Sequence, residues 1–293
     1  MILQRLPVEI SSLISGLPQK IIDEIEEIRI VSEQPVLLCT TNKEFSLGEK
    51  KDQAFVAHVF RTMTEYSEYA YQEELSKGYI TIKGGHRIGV CGRVVCKNGQ
   101  VSSIKDISSL NIRKCREMRG ISDWLIPYVL NDGGQFLHTL LVSPPKCGKT
   151  TLLRDFVRNL STLGFRVALC DERSEVAGSH QGRTDFDLGP RTDVLDGCPK
   201  EIGMIMLIRA MAPDILATDE IGKGEDVYGI ESALCAGVGL LTTIHGSNYE
   251  DVLNSKIGHF IKDGIFQRLI FLSGIPHTGT ITGIFDGRNQ KIF

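Results

Sequence analysis

The chain has 293 residues, 42% of them hydrophobic, which is enough for a sizeable core and predicts about two domains. Its formal net charge of -3 excludes a general attraction to nucleic acid or to an anionic membrane, so we expect no nucleic-acid partner. The N-terminus lacks the apolar segment of a signal peptide, and no apolar run reaches the ~18 residues of a membrane span. We therefore expect a cytoplasmic protein without direct membrane insertion.

The N-terminal region begins with helical patterns. Residues 1 to about 30 are predicted to be helical because isoleucines recur at helical spacing between Ile21 and Ile28. Residues 35–39 have strand character, and a second helix is predicted from Ala54 to about Tyr71.

From Gly78 the pattern changes to strands. Strands are predicted at 79–82, 87–91 and 93–96, with a hairpin turn at Asn98-Gly99. Together with the helices before them, these strands predict a small α+β domain over residues 1–117. The second domain is then expected to cover residues 118–293.

The central motif follows an apolar, strand-like run at 137–142. Residues 143–151 read Ser-Pro-Pro-Lys-Cys-Gly-Lys-Thr-Thr, and apolar residues at helical spacing come next. A loop between a buried strand and a helix is typical of a phosphate-binding loop, in which backbone N–H groups bind phosphate. The candidate nucleotide-binding residues of this loop are Ser143, Pro144, Pro145, Lys146, Cys147, Gly148, Lys149, Thr150 and Thr151.

Three residues of this loop have separate expected roles. Gly148 would let the backbone approach phosphate, Lys149 would reach the β- and γ-phosphates, and Thr150 would place its hydroxyl on Mg²⁺. The first position of the pattern G-x-x-x-x-G-K-S/T is occupied by Ser143 instead of glycine. Taken alone, the stretch is also compatible with an ordinary strand-to-helix turn.

The next strand is predicted at 166–170 and is followed by Asp171 and Glu172. Strands that alternate with helices form a parallel sheet, whose ligands bind beyond the carboxyl ends of the strands. Both carboxylates are therefore expected near the nucleotide, and Glu172 is a candidate catalytic residue. The polar stretch 182–200 is predicted to be an ordered loop. Its Arg183 and Arg191 are candidates for phosphate contact in the same or a neighbouring subunit.

A helix from about 201 to 211 leads to an apolar strand at 213–218, which ends in Asp219 and Glu220. Asp219 would hold Mg²⁺ through water, and Glu220 would orient or deprotonate the attacking water. This position behind an apolar strand favours a functional pair, although such pairs also occur on ordinary surfaces.

The following unit has a predicted helix at 226–236 and a strand at 240–245. Thr243 and His245 are polar residues at the end of this strand, facing the same crevice, and His245 is a candidate catalytic residue that senses the γ-phosphate. A structural histidine is the alternative. Predicted strands at 266–272 and 279–285 finish the sheet as a hairpin, where no active group is expected.

The order of these motifs resembles that of the RecA-like ATPases of bacterial type II and type IV secretion. Residues 171–173 resemble their acidic box, residues 209–220 their Walker B region and residues 243–246 their histidine box. The agreement is closer with the stage III sporulation AA branch of these ATPases. There it covers nearly the whole chain, including residues 78–87, 107–113, 171–175 and 191–196.

This resemblance implies an α/β fold, with a RecA-like P-loop core of mostly parallel sheet and helices on both faces, preceded by a small α+β domain. It implies ATP and Mg²⁺ as cofactors and a homo-hexameric ring in the mother-cell cytoplasm. The ring would attach peripherally to a membrane protein of the channel complex between mother cell and forespore, and would power its assembly or transport through it.

The resemblance also concerns particular residues. Secretion ATPases supply arginines from the N-terminal domain to a neighbour's nucleotide, which makes Arg87, Arg93 and Arg113 candidates for that role. Solvated charges on a glycine-rich hairpin are the alternative for Arg87 and Arg93. The family usually has glycine where this chain has Ser143 and Lys146, and a tight turn at Ser143 is costly if its φ is positive.

The function predicted from the sequence is therefore Mg²⁺-dependent ATP hydrolysis by a P-loop motor ATPase. Two alternatives stay open. One is a scaffold of the same complex that binds nucleotide without hydrolysing it. The other is a nucleic-acid translocase, since RecA-like rings often move along DNA.

Overall fold

The computed structural model describes residues 2–40, 43–115, 117–179 and 182–293. These residues form two compact units. The first comprises the described residues of Met1–Arg116 and Gly178–Asp185, and the second those of Glu117–Ala177 and Phe186–Phe293.

The described residues of the first unit form a six-stranded antiparallel sheet in the order β3-β2-β1-β6-β5-β4. Its strands are β1 Ile25–Val31, β2 Gln34–Thr40, β3 Glu44–Lys51, β4 Tyr79–Ile82, β5 His86–Lys97 and β6 Gln100–Arg113. The helices are α1 Val8–Ser15, α2 Gln19–Glu24, α3 Gln53–Met63 and α4 Gln72–Ser76, with 3₁₀ turns at Ile2–Arg5 and Glu68–Tyr71. One face of the sheet packs against α1 and α3 to form the core.

The predicted helix over residues 1 to about 30 was wrong beyond Glu24, because β1 begins at Ile25. A bulge between Ile25 and Glu27 adds one residue to the strand, so that Ile25 and Ile28 are both buried although they are three residues apart. That spacing imitates a helix. The second predicted helix was too long, since α3 ends at Met63.

Most predicted strands of this unit are confirmed. The strand at 79–82 is β4, and the strands at 87–91 and 93–96 form one strand, β5, with an irregularity between Cys91 and Arg93. Asn98 and Gly99 both have positive φ, as a tight hairpin turn requires. The exposed edge strand β3 was not predicted.

The described residues of the second unit form a seven-stranded sheet in the order β13-β12-β7-β11-β10-β8-β9. Its strands are β7 Thr139–Ser143, β8 Val167–Asp171, β9 Thr192–Asp196, β10 Ile215–Thr218, β11 Gly239–His245, β12 Arg268–Ser273 and β13 Thr280–Asp286. The helices are α5 Ile126–Val129, α6 Lys149–Thr162, α7 Lys200–Met211, α8 Asp226–Cys235, α9 Tyr249–Leu253 and α10 Gly258–Lys262. Only β13 runs antiparallel to its neighbour among these strands.

Helices cover both faces of this sheet. Leu140 and Val142 point to one side, where α7, α8 and α10 pack, and Leu141 points to the other, where α5 and α6 pack. This alternation within one strand confirms the predicted largely parallel sheet with helices on both faces. The polar loop predicted at 182–200 contains the edge strand β9.

Among the described residues, no helix has both the length and the apolar character needed to cross a bilayer.

Candidate functional site

The candidate site lies where four neighbouring parallel strands of the second unit end. Strand β7 ends at Ser143 and lies beside β11, whose last residue, His245, is the register partner of Ser143. Strand β10 follows β11 in the sheet, and β8 follows β10. The residues after these strands therefore meet at the carboxyl ends of the strands, as expected for a parallel sheet.

The phosphate-loop candidate connects β7 to α6. Gly148 has φ 88° and immediately precedes Lys149, the first residue of α6. A Cβ at Gly148 would lie 3.3 Å from Thr278 and 3.4 Å from the backbone of Gly279. The position therefore needs glycine both for its conformation and for the close approach of the β12–β13 connection.

The cost expected at Ser143 is absent, because Ser143 is an extended residue at the end of β7. The positive φ lies three residues later, at Lys146, where φ is 63°. The Gly279 N–H donates to the Cys147 carbonyl at 3.1 Å, so the hairpin of β12 and β13 helps to hold the loop.

Lys149 is buried, with 5% of its surface exposed. Its Nζ donates to the Ser143 carbonyl at 2.9 Å, to Ser143 Oγ at 3.2 Å and to the Pro144 carbonyl at 3.2 Å. The same Nζ lies 2.9 Å from His245 Nδ1. Burial lowers the pKa of Lys149, against the opposing attraction of nearby carboxylates. The loop thus surrounds a cation with acceptors at the start of a helix.

Thr150 and Asp219 form an oxygen-rich pair next to this cation. Thr150 Oγ1 donates to Asp219 Oδ2 at 2.6 Å, and the Thr243 hydroxyl donates to Asp219 Oδ1. Hydroxyl and carboxylate oxygens are suitable ligands for Mg²⁺. In the described part of the chain, no group of three or more His, Cys, Asp or Glu could hold a metal ion. With Thr150 and Asp219 as its protein ligands, a Mg²⁺ held here would take its other ligands from phosphate and water, as Mg²⁺ usually does.

Glu220 faces His245 with its carboxylate. Glu220 Oε1 lies 3.0 Å from His245 Nε2, and Oε2 forms an ion pair with Arg173 at 3.3 Å. Because the Lys149 ammonium can only donate, His245 Nδ1 is the acceptor, and Nε2 carries the proton donated to Glu220. His245 therefore links two of the candidate catalytic residues, Lys149 and Glu220.

The two carboxylates after β8 have different surroundings. Asp171 is buried and accepts N–H bonds from Glu175, Val176 and Ala177. These three bonds close the turn after β8. Burial raises the pKa of Asp171 to about 6, against the opposite effect of the same bonds. Glu172 forms an ion pair with Lys200 at 3.3 Å.

The arginines predicted to contact nucleotide lie elsewhere. Arg191 directly precedes β9, its carbonyl accepts from the Val167 N–H at the start of β8, and its guanidinium donates to the Gly164 carbonyl at 3.1 Å. Arg191 therefore lies at the amino ends of the parallel strands, whereas the phosphate loop follows a carboxyl end. The structure does not bring Arg191 to the phosphate loop of its own chain. Contact with a neighbouring subunit stays a prediction.

Arg113 belongs to the first unit. Its Nε donates to Glu27 at 3.0 Å, and its register partner across β5 is Arg87, whose guanidinium lies 3.8 Å from the centre of the Tyr79 ring. Arg93 lies further along β5, with its Nη1 4.0 Å from Asp106 Oδ2. A contact of these arginines with another subunit stays a prediction.

Sequence reasoning missed Lys200 altogether. Its Nζ donates to the Glu220 carbonyl at 2.8 Å, although Lys200 lies 20 residues before Glu220. A lysine at the start of a helix is an unusual choice, since the first turn favours acidic residues. This unusual position was the feature of the sequence that could have pointed to Lys200.

The chain is similar to known proteins over nearly its whole length. A family model described as "Sporulation stage III, protein AA" matches residues 2–292. The stage III sporulation protein AA of Bacillus subtilis (strain 168) is 38% identical over 287 residues, which cover 96% of this chain and 93% of that protein.

Two solved structures have a similar fold. The Legionella pneumophila ATPase DotB matches with a TM-score of 0.59 at 13% identity, over 91% of this chain and 76% of that chain. The pilus retraction motor PilT, solved with bound ADP, matches with a TM-score of 0.55 at 15% identity, over 86% of this chain and 76% of that chain. These likenesses confirm the predicted fold class, an α/β RecA-like core preceded by a small α+β unit.

Proposed function

Since the chain belongs to the sporulation stage III, protein AA family, we propose that it is a Mg²⁺-dependent ATPase. In this proposal, hydrolysis powers assembly of, or transport through, the channel complex between mother cell and forespore. The observation that supports the proposal most directly is that five side chains meet at the carboxyl ends of the strands. They belong to Lys149, Thr150, Asp219, Glu220 and His245.

Each of these side chains has a task that its surroundings suit. Lys149 neutralises phosphate charge from the start of α6, where the helix end also favours an anion. Thr150 and Asp219 would hold Mg²⁺, which when bound would offset the negative charge of the phosphates. Glu220 orients or deprotonates water. His245 contacts both Lys149 and Glu220, so a change at the phosphates is passed to the group that handles water.

The proposal includes a homo-hexameric ring in the mother-cell cytoplasm, attached peripherally to a membrane protein of the channel complex. Family membership and the fold shared with the ATPase DotB and the motor PilT support this setting. Arg113 and Arg191 are proposed to act on a neighbour's nucleotide. The non-hydrolysing scaffold is the second candidate, and the left-handed Lys146 in the phosphate loop favours it.

Mg²⁺-dependent ATP hydrolysis at rising protein concentration tests the proposal. We expect specific activity to rise with concentration, and to fall at least ~100-fold in Glu220→Gln, which loses the group that activates water. Lys149→Ala should lose nucleotide binding as well as turnover. Glu225→Gln is the matched control, because Glu225 is an exposed glutamate of the same loop.

Unchanged hydrolysis in Glu220→Gln would contradict the assigned chemistry. Absence of turnover in the wild type, combined with thermal stabilisation by Mg²⁺ and ATP, would support the scaffold instead.

A further inference from the structure

The backbone of Glu220 is held in an unfavourable conformation. Its φ is 46°, in the left-handed region that a residue with a Cβ rarely adopts. Such a conformation persists only where the surroundings fix it. Here the Glu220 N–H donates to Thr243 Oγ1 at 2.9 Å and to Asp219 Oδ1 at 3.0 Å, which secures one side of the residue.

The other side of Glu220 is secured by Lys200. The Glu220 carbonyl accepts a hydrogen bond from Lys200 Nζ at 2.8 Å. The following N–H, of Ile221, donates to the Thr243 carbonyl at 2.8 Å. Groups of α7, of Asp219 just after β10 and of β11 thus surround the backbone of Glu220, whose side chain is the proposed water-activating group.

Lys200 occupies a position that disfavours its own charge. It is the first residue of α7, where the helix dipole repels a cation, and only 6% of its surface is exposed. The Glu172 carboxylate, 3.3 Å away, compensates this charge. A residue that opposes both helix electrostatics and burial is expected where its contact serves function.

We infer that Lys200 is a positioning residue for Glu220, and that Glu172 holds the Lys200 ammonium in place. Lys200 contacts the backbone of Glu220 and acts through it on the direction of the Glu220 carboxylate. The inference rests on the proposed hydrolysis, and it gives Glu172 a positioning role in place of a catalytic one.

Steady-state kinetics give the first test. Lys200→Met removes the charge and the donor, and should lower kcat about 10- to 100-fold, as loss of an orienting contact does, with KM for ATP close to wild type. Lys200→Arg keeps a charged donor and should recover part of kcat. Lys223→Met is the control, because Lys223 is an exposed lysine just after Glu220.

A combined variant separates positioning from general support of the fold. In the Glu220→Gln background, Lys200→Met should cause no further loss of kcat, because the group it positions is already gone. Equal losses in both backgrounds, or a large rise in KM, would overturn the inference.

Amide hydrogen exchange in the nucleotide-free protein tests the same contact without any turnover. Lys200→Met should speed exchange of the Glu220 and Ile221 amides about tenfold, because Lys200 no longer holds the Glu220 carbonyl and the backbone on both sides of that residue opens more often. Exchange within β7 should stay unchanged, as should the whole pattern in Lys223→Met. Unchanged exchange at Glu220 would overturn the inference even if the protein hydrolyses ATP. A wild type without turnover would instead overturn the proposed function and leave the exchange test valid.

Discussion

Lys146 carries the backbone strain of the phosphate loop. Its side chain is exposed and its φ of 63° lies in the left-handed region. A residue with a Cβ pays about 1 to 2 kcal/mol for this conformation, whereas glycine adopts it freely. The departure from glycine that matters for the loop is therefore at Lys146, since Ser143 is extended.

We expect Lys146→Gly to raise the free energy of unfolding by about 0.5 kcal/mol, because relief of strain exceeds the entropy that glycine adds to the unfolded chain. Urea denaturation measures the change. Lys223→Gly is the control, since Lys223 has no positive φ and should only lose stability. Equal destabilisation of both variants would show that the conformation at Lys146 is not strained.

At the scale of elements, strands with continuous apolar runs could be predicted from the sequence. Strands β7, β10 and β11 are buried on both faces and lie within two residues of the predicted bounds. The edge strands β3 and β9 could not be predicted, because they contain no fully buried residue and so lack an apolar pattern. Strand β1 was predicted as a helix because its bulge places buried isoleucines three residues apart, as in a helix.

The same reasoning explains what could be predicted of the site. Lys149, Asp219, Glu220 and His245 each follow or end a parallel strand, so their order in the chain predicts that they meet. Lys200 follows no strand of the site, and its contact depends on the left-handed turn at Glu220. The position of Arg191 depends on β9, which was not predicted.

Helix α6 is fixed to the segment before α5 through Asp155. This carboxylate is buried and accepts N–H bonds from Gly120 at 3.1 Å and from Ser122 at 2.8 Å. The Ser122 hydroxyl and Arg158 Nε also donate to it, each at 2.8 Å. Burial raises the pKa of Asp155, but these donors outweigh burial and lower it.

We expect Asp155→Asn to lower the free energy of unfolding by about 2 to 3 kcal/mol at pH 7, because buried donors lose a charged acceptor. The pKa of Asp155 is lower in the folded protein than its value of ~3.9 in the unfolded chain. Ionised Asp155 therefore stabilises the fold above pH ~3.9, and this contribution is lost as the pH falls through the folded pKa. The difference between wild type and variant should therefore shrink below about pH 4. Urea denaturation at pH 7, 5, 4 and 3 measures it, with the exposed Asp132→Asn as control. A difference that stays constant with pH would contradict the ionised role of Asp155.

At the scale of the whole molecule, the position of Arg191 bears on the proposed contact between copies. The phosphate loop lies at the carboxyl ends of the strands and Arg191 at their amino ends, so any action of Arg191 on a nucleotide would be on the loop of another copy. A head-to-tail ring presents different surfaces of neighbouring subunits to each other, which suits such an arrangement. The proposed ATPase would then be complete only between subunits.

Mixing two inactive variants tests this arrangement. Arg191→Ala keeps an intact phosphate loop and Glu220 but lacks the arginine that would act on a neighbour. Glu220→Gln keeps Arg191 but lacks the water-activating group of its own site. In an equal mixture, about a quarter of head-to-tail interfaces would combine an intact Glu220 with a neighbour's intact Arg191, so hydrolysis should reappear. Arg113→Ala can replace Arg191→Ala to test the first unit.

The matched control is a mixture of Lys149→Ala and Glu220→Gln. Lys149 and Glu220 belong to the same site of one chain, where His245 joins them, so no interface of this mixture contains both intact residues. Hydrolysis should therefore stay absent in the control at every ratio. If the Arg191→Ala mixture also stays inactive while the two variants co-assemble, Arg191 does not act across subunits. If Arg191→Ala alone is fully active, Arg191 has no part in hydrolysis, and the arginine that completes the site must be sought on the first unit.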